Sequence, residues 1–415
     1  MTMSIQRLKN GLHIVYPAFA FLRFGRLGKR IVTVGITGTD GKSSSVAFTA
    51  GILRSAGHRV AHYSSVSIHD GLTERRNETK ISTPGRMGLH RFLAAAIANG
   101  ATHAVIEVTS QGMLQHRHRF IGFMLVGVTN VTPEHVEAHG SFERYRESKA
   151  SLARELLPGS LGLVVSEDAL NILRDRLPHG LMMRICGGNG DLRATGIVST
   201  LTRTTLTIVR RNERAVVTAS LGGPFAARNI LFSAGLATAL GASLNDVKEA
   251  MRVQAPVPGR CEIVSARPLV IVDYAHTLAA LESQLSFVRR KTTGKVIHVF
   301  GAAGGGRDRY KRPLLAALSE RYADVSIVTE ENPFDEREES IAYGIRKGFS
   351  DAHEVHTVRK REDAIALAKK LLGPGDALLL TGKGSESVIA GPRRSRRLYT
   401  EATYARCLFG TLSSA

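Results

Sequence analysis

The chain has 415 residues, of which 43% are hydrophobic and 22% are charged; this predicts two or three folded domains and excludes a disordered or fibrous protein. Lysine and arginine number 56 against 36 aspartate and glutamate, and the formal charge of +20 favours anionic partners without selecting among nucleotides, acidic precursors, nucleic acid and anionic membrane. The cysteines Cys186, Cys261 and Cys407 show no CxxC spacing, which argues against a disulfide framework or a zinc site and indicates a reducing, cytoplasmic compartment.

The first 30 residues form a basic segment with an interrupted apolar run. The run covers residues 11–22, contains His13 and Pro17, and is too short to span a bilayer. No small-residue cleavage site follows it, so we expect no signal peptide. Two interpretations stay open: a basic amphipathic segment in peripheral contact with a membrane, or a helix packed on the first domain. The weak apolar pattern favours the packed helix.

Short runs rich in Val, Ile and Leu recur along the chain and predict strands that are buried on both faces. They cover residues 31–34, 104–106, 125–128, 269–272, 296–300, 325–328 and 377–380. Helical patterns lie between several of them, at residues 86–99, 313–321 and 361–372. This alternation predicts an α/β fold with mostly parallel sheets. Because ligands bind beyond the carboxyl ends of such strands, the polar residues that follow each strand are the candidate site residues.

The stretch at residues 164–220 has a different pattern. Its β-branched runs at residues 200–209 and 215–220 flank a turn-like segment at residues 211–213, which predicts a small antiparallel element. A domain boundary is expected near residues 256–259, after which the alternation of strands and helices restarts. We therefore expect a basic segment at residues 1–30, a central domain at residues 31–258 and a C-terminal domain at residues 259–415.

The strongest local signal is a glycine-rich turn that follows the first strand at residues 34–45. Gly38 and Gly41 let backbone N–H groups surround phosphate oxygens, and the helix that follows adds partial positive charge. Lys42 would reach the β- and γ-phosphates of a nucleotide, and the Ser43 hydroxyl would bind Mg²⁺. Ile36 stands where the strict GxxxxGK[ST] pattern has its first glycine, so an ordinary strand–helix turn is the alternative.

This turn, Gly-Thr-Asp-Gly-Lys-Ser-Ser, resembles the phosphate loop of the Mur ligase family, usually written GTNGKTT. The family also includes folylpolyglutamate synthases and the ligase part of cyanophycin synthetases. The resemblance implies an ATP-binding, P-loop-type central domain with a mostly parallel sheet and a C-terminal, Rossmann-like α/β domain that binds an amino acid. It implies ATP contacts from Gly38, Thr39, Asp40, Gly41, Lys42, Ser43 and Ser44.

Further blocks follow in the order of the same family. Residues 106–112 resemble its E-V-S-S-H/Q block, and residues 129–149 resemble its N-x-x-x-D-H-L-D-x-H-G and Y-x-x-x-K pattern, with Glu134 and Glu137 in place of aspartates. The resemblance implies two Mg²⁺ sites and assigns catalytic roles to Lys42, Glu107, His135 and Lys149, and metal binding to Ser43, Glu107, His135 and Lys149. Lys149 matches a lysine that many members carry as a carbamate. Acyl-substrate contacts are expected from Thr83, Thr109 and Ser110.

Later blocks resemble the nucleotide-binding and amine-binding parts of the family. For ATP, they imply contacts from Asn229, Arg260, Asp273 and His276. For the amine substrate, they imply contacts from Arg307, Asn332, Phe334, Gly382 and Glu386. The family's D-N-P-R loop supports recognition of diaminopimelate through its arginine, and Phe334 occupies that position here. Diaminopimelate is therefore not the expected amino acid.

Together these blocks predict an ATP-dependent amide-bond ligase that activates a carboxylate as an acyl phosphate. They are most similar to the UDP-N-acetylmuramoyl-tripeptide synthetases of peptidoglycan assembly, which add the third amino acid to a UDP-N-acetylmuramoyl dipeptide. The N-terminal UDP-binding domain that is usual in those enzymes is not expected ahead of the phosphate loop. We expect a monomer whose partners are an amino acid and a small carboxylate precursor. Alternatives are a folylpolyglutamate-type ligase and a scaffold that binds nucleotide without chemistry. Nucleic-acid binding is not expected, because tryptophan and nucleic-acid-binding motifs are absent.

Overall fold

The computed structural model describes residues 11–79 and 81–410. Among these residues the first sheet has 11 strands in the order β11-β10-β9-β8-β7-β6-β1-β5-β2-β3-β4. They are β1 (Val32–Thr37), β2 (Val60–Tyr63), β3 (Ser67–His69), β4 (Glu74–Arg76), β5 (His103–Glu107), β6 (Leu125–Val128), β7 (Gly162–Ser166), β8 (Met183–Cys186), β9 (Leu192–Ser199), β10 (Thr204–Arg210) and β11 (Glu213–Ala219).

The helices of this part of the chain cover both faces of the sheet. They are α1 (Val15–Phe24), α2 (Lys42–Ser55), α3 (Gly88–Ala98), α4 (Ser110–Leu114), α5 (Val136–His139), α6 (Phe142–Ser151), α7 (Glu167–Leu173), α8 (Ala226–Ala239) and α9 (Leu244–Val253). One apolar core forms where α2, α8 and α9 pack on the sheet, and a second forms beneath α3, α6 and α7. Because both faces are covered, the central strands β1, β5 and β6 are rich in Val and Ile and are almost entirely buried.

The central strands of this sheet are parallel, and both of its ends are antiparallel. β1 lies between β5 and β6, and β7 and β8 continue the parallel pairing. Pairing becomes antiparallel between β9, β10 and β11. The predicted antiparallel element is therefore present, but it extends the main sheet through β8 and is not a separate unit. The end of β7 and the whole of β8 also lie in the stretch at residues 164–220, but they are parallel strands outside the two runs for which the antiparallel element was predicted.

The second sheet has the order β12-β13-β17-β14-β15-β16, and only β12 is antiparallel to its neighbour. Its strands are β12 (Glu262–Ala266), β13 (Leu269–Val272), β14 (Val296–Phe300), β15 (Val325–Val328), β16 (Glu354–Thr357) and β17 (Ala377–Leu380); β18 (Val388–Ala390) and β19 (Arg396–Leu398) form a hairpin. Its helices are α10 (Leu278–Lys291), α11 (Lys311–Tyr322), α12 (Glu338–Arg346), α13 (Arg361–Leu371) and α14 (Glu401–Phe409). The two α/β sheets confirm the predicted fold class.

The chain passes from the helices of the first sheet to the second sheet between the end of α9 and the start of β12. The expected boundary at residues 258 and 259 falls within this segment. We refer below to the parts on either side of it as the central and C-terminal domains. The predicted helices at residues 86–99, 313–321 and 361–372 correspond to α3, α11 and α13.

The basic N-terminal segment forms α1 and a short 3-10 turn, Leu27–Lys29; residues 1–10 lie outside the described residues. Pro17 and Ala20 of α1 are buried, α1 contacts α3, and the ring of Phe21 lies 5.7 Å from that of Phe120. The segment thus packs on the central domain, as the favoured interpretation expects. Across residues 11–79 and 81–410, the structure contains no helix that is long and apolar enough to span a membrane.

A fully buried ion pair joins two helices of the C-terminal domain. Arg361 at the start of α13 and Glu401 at the start of α14 are both 0% exposed, and a guanidinium nitrogen lies 2.8 Å from the carboxylate. The same guanidinium donates to the carbonyl oxygen of Thr381 at 2.5 Å and to that of Glu330 at 3.2 Å. These contacts tie the end of β17 to both helices.

Candidate active site

A cavity with a volume of about 920 Å³ lies between the two domains. Residues that follow the carboxyl ends of β1, β5 and β6 line its central-domain side, and residues that follow β13, β14 and β15 line the other. This is the position that parallel α/β sheets provide for ligands. The cavity therefore brings together loops that are far apart in sequence.

The phosphate loop follows β1 and leads into α2. Gly38 has φ of +144°, and a Cβ atom there would lie 1.9 Å from the hydroxyl of Thr129, so only glycine fits. Gly41 has φ of +80° and precedes α2, whose amino end has no side-chain cap. Uncapped N–H groups at a helix amino end bind anions, so this loop fits a phosphate group.

Four side chains that the sequence analysis did not assign hold the phosphate loop in place. Asn130 accepts from the amide of Asp40 at 2.9 Å, and the Thr129 hydroxyl donates to the Asp40 carbonyl oxygen at 2.7 Å. The hydroxyls of Thr39 and Tyr145 lie 2.9 Å apart. In the C-terminal domain, the Thr277 hydroxyl donates to the Asp40 carboxylate at 3.0 Å.

Lys42 and Lys149 bring two amines to this loop. The Lys42 ammonium donates to the Thr39 carbonyl oxygen at 2.7 Å. The buried Lys149 amine donates to the Gly38 carbonyl oxygen at 2.6 Å. Burial lowers the pKa of both amines, and the Lys42 charge lowers the pKa of Lys149 further. Carboxylates such as Glu107 oppose the shift at each lysine. A positive charge beside a triphosphate would be favoured at this position.

Two of the predicted metal-binding residues, Ser43 and Glu107, are in direct contact. The Ser43 hydroxyl donates to the Glu107 carboxylate at 2.8 Å, and the Ser65 amide donates to the same oxygen at 3.0 Å. A hydroxyl and a carboxylate oxygen side by side at the cavity wall are hard ligands of the kind that Mg²⁺ takes. Ser43 and Glu107 therefore fit a magnesium ion bound between this wall and a phosphate.

His135 lies apart from that pair, at the amino end of α5. Burial, together with the charges of Lys149 and Lys42, lowers the pKa of His135 to about 3. Its imidazole is therefore neutral at physiological pH, which is the form that binds metals. The Lys149 amine contacts the phosphate loop and would become an oxygen ligand only as a carbamate.

Ligand-type atoms of Glu134, His135 and Asp308 lie within 4.8 Å of one another. Protein contacts already satisfy the two carboxylates: Glu134 pairs with the Lys311 ammonium at 2.7 Å, and Asp308 accepts the His135 amide at 2.7 Å. Burial raises the pKa of Glu134 to about 7, although Lys311 opposes the shift. This cluster is a contact between the two domains.

The residues expected to contact the nucleotide lie on both sides of the cavity. Asn229 on α8 packs against Gly41, and the Arg260 guanidinium lies 4.3 Å from the centre of the Tyr274 ring. Asp273 accepts the amides of Cys261 and Ala275, each at 2.6 Å. Its carboxylate thus holds two loops at the cavity wall.

His276 presents one ring nitrogen to the protein. Its Nδ1 lies 2.9 Å from the carbonyl oxygen of Tyr274, which only accepts, so Nδ1 carries the proton and Nε2 is left as an acceptor. Burial and the Lys311 charge hold the pKa of His276 well below its usual range. A neutral imidazole is better suited to hydrogen bonding than to pairing with phosphate charge.

Two of the expected amine-binding residues, Asn332 and Glu386, contact one buried lysine that the sequence analysis did not assign. Lys383 is 0% exposed and donates to Asn332 at 3.0 Å and to Glu386 at 2.5 Å. Asn332 in turn donates to Glu386 at 2.9 Å. The Arg307 guanidinium, in contrast, is exposed and lies 5.0 Å from the centre of the Phe334 ring. It is a cation able to meet an incoming carboxylate.

The remaining expected substrate contacts differ in position. Gly382 has φ of +97° and packs beside Glu331, so it shapes the loop without presenting a polar side chain. On the acyl side, the Thr83 hydroxyl donates to the Glu107 carbonyl oxygen at 3.0 Å and accepts the Thr109 amide at 3.0 Å. Thr109 and Ser110 line the cavity next to Glu107. Thr83 lies behind them and braces the end of β5.

Comparisons with known proteins agree with this arrangement. Residues 36–237 match the model of the Mur ligase middle domain, and residues 259–384 match that of the Mur ligase glutamate ligase domain. The chain is 35% identical over 380 residues to a UDP-N-acetylmuramoyl-L-alanyl-D-glutamate--2,6-diaminopimelate ligase of Mesorhizobium japonicum, covering 88% of this chain and 75% of that protein. The enzyme of the same name from Aquifex aeolicus is 33% identical over 366 residues, covering 88% of this chain and 74% of that protein.

Solved structures show the same architecture. A structure of a UDP-N-acetylmuramoyl-L-alanyl-D-glutamate--2,6-diaminopimelate ligase has a TM-score of 0.60 at 25% identity, covering 91% of this chain and 78% of that one. A Mycobacterium tuberculosis folylpolyglutamate synthase has a TM-score of 0.73 at 15% identity and covers 99% of both chains, a likeness of fold alone. By sequence and architecture, the chain is an acid–amino-acid ligase of the Mur ligase family.

Proposed function

We propose that this ligase uses ATP to join an amino acid to the carboxylate of a UDP-N-acetylmuramoyl-peptide-type precursor, through an acyl phosphate and with release of ADP and phosphate. The names of the relatives at 33–35% identity support this substrate class. The observation that carries the proposal is one cavity lined by the phosphate loop before the uncapped amino end of α2, by the Ser43–Glu107 pair and by the Arg307 cation.

ATP and Mg²⁺ would supply the phosphoryl group that activates the carboxylate and the positive charge that offsets its repulsion from the triphosphate. In this proposal the glycine-lined loop and Lys42 bind the phosphates, with Ser44 in the first turn of α2. Ser43 and Glu107 would hold one Mg²⁺, and His135 with a carbamylated Lys149 would hold a second. Arg260, Asn229, Asp273 and His276 complete the nucleotide side.

The amine would approach from the C-terminal domain. Arg307 binds its carboxylate, while Glu386, positioned by Asn332 and Lys383, binds its amino group. Thr109 and Ser110 bind the acyl substrate near the phosphate loop. Closure of the domains brings amine and activated carboxylate together and excludes water, so positioning and electrostatics carry most of the rate.

The amino acid itself is proposed to differ from diaminopimelate, because the Phe334 ring, which lies under the Arg307 guanidinium, offers no charge to a second carboxylate. We further propose that the chain acts as a monomer, since both sides of the cavity come from one chain. The division into a central domain at residues 31–258 and a C-terminal domain at residues 259–415 belongs to the same proposal.

A substrate screen tests the proposed function. The protein would be incubated with ATP, Mg²⁺, a set of amino acids and either muramoyl peptides or folates, and the products would be read by mass spectrometry for a new amide. The proposal expects an amide with a muramoyl peptide, and ADP release only when acid and amine are both present. An amide with folate alone would identify a folylpolyglutamate-type enzyme, and no amide with any pair would favour a nucleotide-binding scaffold.

A substitution of the phosphate-loop lysine tests the role of the loop, and an exposed lysine outside the cavity provides the control. Lys42→Ala should lose amide formation by at least about 100-fold, because phosphate charge is no longer neutralised. Lys29→Ala, which removes an exposed amine outside the cavity, should retain it. Full activity of Lys42→Ala would overturn the assigned role of the loop.

A further inference from the structure

The helix α1 and the turn that precedes it expose a stripe of apolar side chains. Leu12 is 62% exposed, Val15 59%, Tyr16 42%, Phe19 62% and Leu22 81%. Large hydrophobic side chains scattered singly on a surface need no explanation, but a contiguous set marks an interaction surface. We call these five residues the α1 face.

The spacing of the α1 face fits one side of a helix. Leu12, Val15, Phe19 and Leu22 are separated by three, four and three residues, so they lie along one stripe. Pro17 and Ala20, on the other side, are buried against the central domain. The packing of α1 thus accounts for one side of the helix and leaves the other without a partner among the described residues.

Positive charge surrounds the α1 face. Arg23, Arg26, Lys29 and Arg30 follow it directly and are all exposed. The sequence contains no aspartate or glutamate before Asp40, so no acidic side chain of this segment offsets the four cations. An apolar stripe flanked by cations is the composition of helices that lie in the interface of an anionic bilayer.

We propose that the α1 face is a docking surface for an anionic phospholipid bilayer. The ten-residue helix Val15–Phe24 is about 15 Å long and therefore lies in the plane of the interface, with Phe19 and Leu22 among the acyl chains. Tyr16 lies at the level of the headgroups, where an aromatic ring with one polar end is favoured. Arg23, Arg26 and Lys29 pair with lipid phosphates.

A bilayer fits this surface better than a second copy of the chain does. A two-fold dimer through the α1 face would bring the four cations of both copies into one interface, with no acidic side chain of this segment to offset them, and like charges repel. A planar anionic surface satisfies the apolar stripe and the cations together.

Docking through the α1 face leaves the cavity accessible. The segment after α1 enters β1 at its amino end, and the Gly28 amide donates to the Ile121 carbonyl oxygen just before β6 begins. The cavity lies at the carboxyl ends of the same strands. The bilayer would therefore lie near the amino ends of the strands of the first sheet, and the candidate active site lies at their carboxyl ends.

Vesicle co-sedimentation with the full chain tests the proposal. The protein should sediment with vesicles of phosphatidylcholine and phosphatidylglycerol, and the bound fraction should fall at least tenfold with phosphatidylcholine alone. Phe19→Asp with Leu22→Asp should reduce binding at least tenfold, and so should Arg23→Glu with Arg26→Glu. Binding should weaken as salt is raised, because exposed charges are screened.

Matched controls keep the test specific. Leu72→Asp and Val253→Asp alter side chains that are 62% and 68% exposed elsewhere, and both should bind vesicles as the unmodified protein does. Amide formation with soluble substrates should be unchanged in the α1 variants, which separates docking from folding and catalysis. Absence of binding to anionic vesicles would overturn the proposal, as would a concentration-dependent dimer that the Leu22→Asp change abolishes.

Discussion

The carboxylate of Asp308 in the C-terminal domain accepts the backbone amide of His135 in the central domain at 2.7 Å. Its other oxygen accepts the amide of Glu137 at 3.3 Å, and the Glu137 carboxylate accepts the amide of Arg309 at 2.9 Å. His135 has φ of +55°, a conformation that costs free energy for any residue except glycine. Closure of the two domains therefore holds the backbone of the proposed metal-binding histidine.

The first prediction concerns this contact. Asp308→Asn replaces one acceptor oxygen with a donor that faces a backbone N–H, so the closed arrangement should be destabilised. We expect kcat to fall tenfold or more with a smaller change in KM for ATP, whose phosphate loop lies in the other domain. Small-angle scattering with a nonhydrolysable nucleotide should show a larger radius of gyration.

Asp335→Asn is the matched control for that experiment. Asp335 also accepts a backbone amide, from Arg393 at 2.7 Å, but the contact lies within the C-terminal domain. This variant should keep the kcat and the radius of gyration of the unmodified protein. Equal losses in both variants would contradict a role for Asp308 across the domain boundary.

The second prediction concerns the phosphate loop. Gly38→Ala places a methyl group 1.9 Å from the Thr129 hydroxyl, so the loop must shift and nucleotide affinity should drop by at least tenfold. Gly57→Ala also changes a glycine of positive φ, +86°, but no atom lies within 4 Å. Calorimetric titration with a nonhydrolysable nucleotide should give unchanged affinity for Gly57→Ala. Unchanged affinity for Gly38→Ala would refute the loop geometry.

The third prediction concerns the buried ion pair. Arg361→Met leaves the Glu401 carboxylate buried without its partner, and breaking such a pair costs about 3–5 kcal/mol of unfolding free energy. Arg359→Met breaks an exposed pair with Glu338, and solvent-screened pairs of that kind contribute little to stability. Urea denaturation of both variants measures the difference. A loss below about 1 kcal/mol for Arg361→Met would be inconsistent with the burial described.

The fourth prediction concerns pH. Burial and, to a smaller extent, the charge of Arg361 lower the pKa of His298 to about 3. The two ring nitrogens contact Ser319 and Thr381. Between about pH 3 and the unfolded value near 6.5, the unfolded chain binds a proton that the folded chain does not. The stability that depends on the neutral His298 is therefore fully present above about pH 6.5. Stability falls by about 1.4 kcal/mol per pH unit as the pH drops through this window.

Denaturation curves at several pH values measure that slope. His298→Asn should lower the overall unfolding free energy. It should also reduce the slope of the unfolding free energy against pH by the amount that one proton contributes. An unchanged slope in His298→Asn would show that this histidine does not titrate on unfolding.

The sequence predicted the interior of the fold better than its edges. The runs at residues 125–128, 269–272, 296–300, 325–328 and 377–380 coincide with β6, β13, β14, β15 and β17, because strands covered on both faces must be continuously apolar. The edge strands β12 and β16 carry polar residues and gave no such signal. β7 is apolar and parallel to its neighbours, but it was not among the predicted strands.

In the candidate site, local sequence motifs likewise predicted some residues, whereas contacts between distant residues could not be predicted. Lys42 and Ser43 begin α2 directly after the phosphate loop, and Glu107 is the last residue of β5, so local motifs were sufficient to find them. Tyr145 and Lys383 have partners 106 and 51 residues away in sequence, at Thr39 and Asn332, so only the folded chain shows their contacts. The Asp308 contact with His135 crosses 173 residues and both domains.

The distribution of cysteines offers a means of observing domain closure. Cys186 is buried and Cys261 is half-buried, and burial raises the pKa of each thiol to about 12, so neither supplies much reactive thiolate at neutral pH. Cys407 on α14 is exposed. A maleimide fluorophore should therefore attach to the C-terminal domain at Cys407 alone. A second dye on a cysteine introduced into the central domain would report the distance between the domains by energy transfer, during turnover and without removal of any native thiol.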